Sequence, residues 1–246
     1  SETAALLYSS GTTGQPKGIV LSHDNLLKNG ETLVRTWGLT SSDQLLHMLP
    51  IYHVHGLFVG LNTILLSGAK MIWCESFNDE EAIEYLPHCS VMMGVPTYYT
   101  RLLENSKLGK ECCLNMRLFI SGSAPLLRET FDNFQQKTGH TILERYGMTE
   151  TGMNTSNPLN GERRAGTVGL PLSGVTVRVV DEFDEDMATD ETGDIQVKGP
   201  NVFSGYWRMP DKTAEDFTQD GFFNTGDKGT IDSDGYVSIV GREKDM

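Results

Sequence analysis

Between Gln44 and Tyr146 short apolar runs alternate with amphipathic ones, and this alternation most narrows the folds open to the chain. The runs Gln44–Leu49, Ala69–Trp73, Ser90–Met93, Arg117–Ser121 and Thr141–Tyr146 are four to six residues long and bounded by turn formers, which predicts strands. Helices are expected at Asp24–Trp37, with Ser22 or Asp24 as N-cap, and at the apolar stretch Gly56–Leu66. Three more are expected at Asn78–Leu86, Pro96–Glu104 and Leu126–Lys137. The first of these opens on Asp79, Glu80 and Glu81 at its positive end, the second on a proline, and the third closes on Gly139. Strand and helix in turn imply an α/β fold, a mostly parallel sheet with flanking helices.

Near residue 160 helical periodicity stops. Short alternating runs follow at Val175–Asp181, Gly193–Lys198, Gly229–Asp232 and Tyr236–Val240, separated by Gly, Asp and Pro turns. The expected organisation is an α/β subdomain over 1–158, a β-rich subdomain over 159–240 and a short terminal segment over 241–246. A chain of 246 residues with 38% hydrophobic and 22% charged residues buries a sizeable core. The net charge of −13 argues against broad nucleic-acid or membrane-surface binding, which needs a basic face. No apolar run is long enough to span a bilayer. Four cysteines without a CxxC pair read as free thiols of a reducing compartment, the cytoplasm or an organellar matrix. Both ends read as cut from a longer chain: the first residues enter a strand at once, and the last stop without a cap.

Residues 3 to 8 are apolar and lead into Ser9-Ser10-Gly11-Thr12-Thr13-Gly14-Gln15-Pro16-Lys17-Gly18. Glycines let backbone N–H groups approach an anion, hydroxyls donate to phosphate oxygens, and Lys17 supplies charge. The spacing fits neither GxxxxGK[ST] nor GxGxxG, because Gln15-Pro16 separates Gly14 from Lys17. Chemistry alone leaves two readings open, a phosphate grip and a Gly/Thr-rich surface turn.

Tyr8 to Gly18 resembles the signature of the superfamily of acyl-CoA synthetases, luciferases and peptide-synthetase adenylation domains. Glu144-Arg145-Tyr146-Gly147-Met148-Thr149-Glu150, Asn224-Thr225-Gly226-Asp227 and Gly241-Arg242-Glu243-Lys244-Asp245 resemble its adenine and magnesium, ribose and hinge motifs, in the family's order. The resemblance implies the incomplete large domain of an enzyme that joins a carboxylate to AMP from ATP and then passes the acyl group to coenzyme A. Ser9, Ser10, Gly11, Thr12, Thr13, Gly14 and Lys17 would then wrap the β- and γ-phosphates. Glu150 would hold Mg²⁺, Thr149 would donate to the α-phosphate, and Gly122, Ser123 and Ala124 with Glu144, Arg145, Tyr146, Gly147 and Met148 would form the adenine slot. Tyr146 would stack on the base. Asp227 would accept from the ribose hydroxyls, with Arg242 beside it. His53 maps to the point of carboxylate activation, as a gate rather than a base, since a carboxylate nucleophile is already deprotonated; His55 shapes the pocket. The family's small C-terminal domain, which carries a second lysine, lies beyond the hinge and outside this sequence, so the chain alone is expected to bind ATP weakly and turn over little.

The acid is legible in part. Thr97 and Arg101 are four apart and share a helix face, and an arginine fork suits a second carboxylate. The competing reading is a surface arginine paired with Glu104. His53-Val54-His55-Gly56-Leu57, Gly94-Val95-Pro96-Thr97, Ser121-Gly122-Ser123-Ala124, Glu144 to Glu150 followed by Met153-Asn154-Thr155-Ser156-Asn157, and Gly199-Pro200-Asn201-Val202-Phe203 with Tyr206-Trp207 resemble the malonyl-CoA synthetases within the superfamily. That resemblance implies Arg101 and Ser123 as holders of the distal carboxylate of malonate or methylmalonate. Ser173 departs from it, in a turn away from the chemistry. Other short-chain or aryl acid–CoA ligases remain as alternatives, as does a nucleotide-binding module without turnover. A peptide-synthetase domain is disfavoured, because Val91–Pro96 holds no acid to grip an amino group.

Overall fold

The structure, a computed structural model, describes residues 2–9 and 16–242. In chain order it runs β1 (Thr3–Ser9), β2 (Lys17–Ser22), α1 (His23–Thr36), β3 (Gln44–His47), a π-helical turn (His55–Leu61), α2 (Asn62–Ser67) and β4 (Lys70–Trp73). There follow α3 (Asp79–Tyr85), β5 (Val91–Gly94), α4 (Pro96–Glu104), β6 (Leu118–Ser121), α5 (Arg128–Thr138), β7 (Ile142–Met148), β8 (Gly152–Ser156), β9 (Leu170–Pro171), β10 (Thr176–Val180) and β11 (Gly193–Lys198). The last elements are α6 (Pro210–Asp216), β12 (Phe223–Ile231) and β13 (Val237–Arg242). The chain divides into two compact units, neither continuous in sequence.

The α/β unit holds Gly30–Tyr146 and Ser156–Gly169. Its strands lie in the order β4-β3-β5-β6-β7, all parallel. β5 and β6 are buried along their whole length, which is why they read as unbroken apolar runs. The core cluster centres on Tyr99, Phe119 and Phe134, whose rings meet edge to face at 4.9 to 6.4 Å. Asn78 caps α3 by accepting from the Glu81 N–H at 2.9 Å. A polar staple ties the starts of β3 and β6. Arg117 forks onto Asp43 with two bonds of 2.7 Å and donates to the carbonyls of Trp37 and Gly38. Burial works to raise the Asp43 pKa, but Arg117, Ser90 and the Thr40 N–H outweigh it and hold the carboxyl at about 2.

The β unit holds Ser1–Asn29, Gly147–Thr155 and Leu170–Met246. β10-β11-β12-β13 form an antiparallel sheet, and β1 pairs with β2 in a hairpin whose last described pair is Ser9 with Lys17. Among the described residues no helix is long and apolar enough to cross a membrane.

The α/β fold with an antiparallel sheet agrees with the sequence reading. Three local features differ. Gly56–Leu66 is not one α-helix; its first part is π-helical, where Gly56 backs onto the Pro50 carbonyl and Gly60 onto the His47 ring. Lys17–Ser22, of which the sequence reading placed only Lys17 and Gly18 in the loop, is a strand. Helix α6 was hidden because none of its seven residues is buried, so it shows no apolar stripe; Lys212 pairs with Glu215 and Asp216 along its surface instead.

Candidate functional site

Within the β unit, Lys17 opens β2 directly across from Ser9. Its ammonium lies 3.9 Å from a carboxylate oxygen of Asp216 and 4.9 Å from the centre of the Tyr206 ring. Ser10, Gly11, Thr12, Thr13 and Gly14 lie outside the described residues, as do Glu243 to Asp245. Glu150 is buried, and burial raises its pKa; the positive charges of Lys17 and Arg242 work against that, while Asp216 adds to it. Asp227 is buried on β12 and pairs with the Arg242 Nε on β13 at 3.2 Å.

The segment Gly147–Thr155 is positioned by amides. Asn29 donates to the Met153 carbonyl at 2.9 Å and accepts from its N–H at 3.0 Å. Asn201 donates to the Thr151 carbonyl at 2.8 Å and to the Asn154 side chain at 3.0 Å. Gly147 has no room for a side chain, since a Cβ there would strike the Gly152 carbonyl. Thr149 is half-buried in the turn where the Thr151 N–H donates to the Met148 carbonyl at 3.2 Å.

The buried carboxylate of Glu150 is a hard oxygen donor of the kind magnesium takes, since magnesium binds through one or two carboxylates and keeps water and phosphate as its remaining ligands. Among the described residues no cluster of three or more metal-binding side chains exists. Glu150 thus fits a magnesium that arrives with a nucleotide.

Within the α/β unit, Ser121, Gly122 and Ser123 turn at the end of β6. Ser123 takes φ +70°, a left-handed conformation uncommon for serine. Its hydroxyl lies 3.3 Å from His55 Nδ1, the first residue of the π turn. His55 is buried, and burial, with Arg145 and His47 nearby, holds its pKa well below the ordinary value, so the ring is neutral. Its Nε2 has no hydrogen-bond partner among the described residues. The Arg145 guanidinium packs directly on Gly122, in space a Cβ would fill. Burial lowers its pKa to about 10, so it stays a cation. Glu144 is buried too. Burial raises it to about 7, opposed by the N–H groups of Gly166 and Leu126, each 3.4 Å away. Tyr146 is buried, and Ala124 is exposed.

Of the two histidines, His55 is the one that touches Ser123. His53 is exposed and its ring rests on Tyr52, 4.5 Å between centres. Arg101 is half-exposed and pairs with Asp79 at 3.1 Å rather than with Glu104; its guanidinium lies 4.9 Å from the Phe77 ring centre. Phe77 in turn stacks on Tyr98 at 4.0 Å. Asp216, Tyr206, Asn29 and Asn201 were not singled out as site residues by sequence. Their partners are distant along the chain, and only Asn201 and Tyr206 carried a signal, through family resemblance.

Comparison with known proteins adds the context. Residues 1–207 match the family model described as AMP-binding enzyme. A malonate–CoA ligase of Arabidopsis thaliana is 42% identical over 264 residues, which cover 98% of this chain and 42% of that protein. The crystal structure of ATP-bound MatB from Rhodopseudomonas palustris superposes with a TM-score of 0.97 at 55% identity, covering 99% of this chain and 49% of that one. A malonyl-CoA ligase in a ternary product complex with methylmalonyl-CoA and AMP gives a TM-score of 0.90 at 43% identity, covering 97% and 52%. The chain therefore spans about half the length of the proteins it resembles.

Proposed function

The chain belongs to the family of AMP-binding enzymes, and from that premise we propose that it is the nucleotide- and acid-handling part of an ATP-dependent acid–CoA ligase that activates malonate or methylmalonate. The acid's carboxylate oxygen attacks the α-phosphorus of ATP, forming the acyl-adenylate as the bond to pyrophosphate breaks. The thiol of coenzyme A then attacks the acyl carbon, its proton is lost, and AMP leaves.

Chemistry of this kind asks the protein mainly for positioning and charge neutralisation. Lys17, with Ser9 to Gly14, neutralises the β- and γ-phosphates. Glu150 ligates the magnesium, which screens the phosphate charge when bound. The Thr149 hydroxyl donates to the α-phosphate as charge develops there. Asp227 accepts from the ribose hydroxyls, aligned by its pair with Arg242. Gly122, Ser123 and Ala124 with Glu144 to Met148 border the adenine, and its exocyclic amine calls for acceptors such as the backbone carbonyls of that segment. Ser123 and Arg101 hold the distal carboxylate, and His53 gates the reacting one. The observation that carries the nucleotide part is the match of residues 1–207 to the AMP-binding enzymes, with Lys17 set across from Ser9 and Asp227 paired with Arg242 at 3.2 Å. The diacid part is supported by relatives named as malonate ligases.

The test is acyl-CoA formation by the whole protein with ATP, magnesium, coenzyme A and a panel of malonate, methylmalonate, acetate, propionate and benzoate. Malonate or methylmalonate should give the highest kcat/KM, and Arg101→Leu should abolish that advantage. A preference for acetate, propionate or benzoate overturns the diacid assignment. The pair between Arg101 and Asp79 favours a second reading, in which Arg101 is structural and the acid is another short-chain or aryl one. In that case Arg101→Leu leaves the ranking of acids unchanged.

A further inference from the structure

Asp216 lies 199 residues from Lys17 in sequence (216 − 17) and beside it in the β unit. Its surroundings are built. One carboxylate oxygen takes the Lys212 ammonium at 2.8 Å, and the second faces Lys17 at 3.9 Å; the Tyr206 ring lies 4.9 Å from the Lys17 ammonium, its phenol pKa raised by burial and by the carboxylates of Glu150 and Asp216. Phe217, the next residue, meets Phe203 and Phe223, with ring centres 5.6 and 5.3 Å away, and Phe203 in turn meets Tyr206 at 4.8 Å. The end of α6 therefore cannot drift. Thr213 of the same helix accepts from the Tyr206 N–H at 2.9 Å.

The segment carrying Tyr206 joins the two halves of the phosphate-side machinery. The Trp207 N–H donates to the Gly18 carbonyl at 2.7 Å, and the Val20 N–H donates to the Gly205 carbonyl at 3.1 Å, so the segment runs beside β2. At its start, the Phe203 N–H donates to the Glu150 carbonyl at 2.7 Å. Lys17 and Glu150 thus hang from one short stretch of backbone, with Asp216 and Tyr206 filling the space beside the ammonium.

We propose that Asp216 and Tyr206 form a cradle that positions Lys17 for the triphosphate, with Asp216 as the positioning charge. The proposal rests on the reading of Lys17 as a phosphate ligand. A free lysine side chain samples many rotamers, and fixing them before the nucleotide arrives removes that entropy from binding. The contact has the strength such a role needs. At 3.9 Å it is an ion pair without a hydrogen bond, so phosphate oxygens can claim the ammonium's donors. Asp216 repels the triphosphate little, because the Lys212 ammonium at 2.8 Å already compensates its charge. Protein kinases use the same arrangement, in which a strand lysine meets phosphate only when a helix carboxylate holds it.

The experiment measures MgATP and AMP affinity by calorimetry on the whole protein, for the parent, K17A, D216N, D216E, Y206F and the K17A/D216N pair. AMP lacks the β- and γ-phosphates, so it reports on the fold and the nucleoside side alone. The expected result is that K17A weakens MgATP about tenfold and D216N about fivefold, both with AMP within about twofold of the parent. D216E recovers part of the loss, Y206F costs about twofold to threefold, and D216N adds nothing in the K17A background. Unchanged or tighter MgATP binding by D216N overturns the cradle, as does equal loss of ATP and AMP. If D216N does not fold, Y206F decides alone, and parent-like MgATP affinity in it overturns the proposal. If K17A itself binds MgATP like the parent, the reading of Lys17 fails first, an outcome separate from failure of the cradle.

Discussion

In the α/β unit the contacts that fix the strands are hydrocarbon and aromatic: Leu118, Phe119 and Ile120 on β6 are fully buried, as are Tyr99 and Phe134 above them. In the β unit the segment of most chemical interest, Gly147–Thr155, is fixed by the side-chain amides of Asn29 and Asn201. Asn25 secures the neighbouring stretch by donating to the carbonyls of Pro200 and Val202, each at 2.8 Å. Apolar burial is non-directional and roughly additive with area. Amide tethers are directional and set a loop's position to a fraction of an ångström. One unit owes its stability to contacts that tolerate repacking; the other owes its geometry to contacts that do not.

The largest expected effect breaks the first half of that contrast. Phe134→Ala leaves a cavity under β6 and should cost about 3–5 kcal/mol in urea unfolding, with m unchanged. Phe183→Ala, at a side chain 76% exposed, should be silent beside it.

The second prediction concerns the polar exception in the apolar unit. Asp43 has its pKa lowered in the fold, from 3.8 to about 2. Its contribution is therefore fully present above pH 4 and is lost as pH falls towards 2. Linkage puts it at about 2 kcal/mol. Arg117→Met should flatten the acid limb of the stability profile in that window; an unchanged limb would remove the staple from the account.

The smallest effect on stability sharpens the second half. Asn201→Ala should cost about 1 kcal/mol globally. Hydrogen exchange at the Thr151 to Asn154 amides should nonetheless rise well above that of the core, and MgATP affinity should fall. If exchange there stays as slow as in β6, the amides are not what holds the segment.

The same contrast governs what sequence reveals. β5 and β6 were legible because burial on both faces leaves an apolar run with nothing to interrupt it. α6 was illegible because its surface pairs carry no period a reader can detect. Lys17, Glu150, Asp227 and Arg242 stood out through motif resemblance, whereas Asp216 and Tyr206 meet Lys17 only through tertiary contact. Between His53 and His55 the sequence offered two similar rings one residue apart. The π turn separates them physically, since it buries the second beside Ser123 and leaves the first in solvent.

Gly122 and Arg145 occupy one volume: the guanidinium sits where a side chain at 122 would be. That makes the two positions a single unit of inheritance. Alanine at 122 displaces the guanidinium from its seat, so the effects of changing the two positions should be coupled rather than additive. Laboratory evolution of this turn should therefore randomise both codons together.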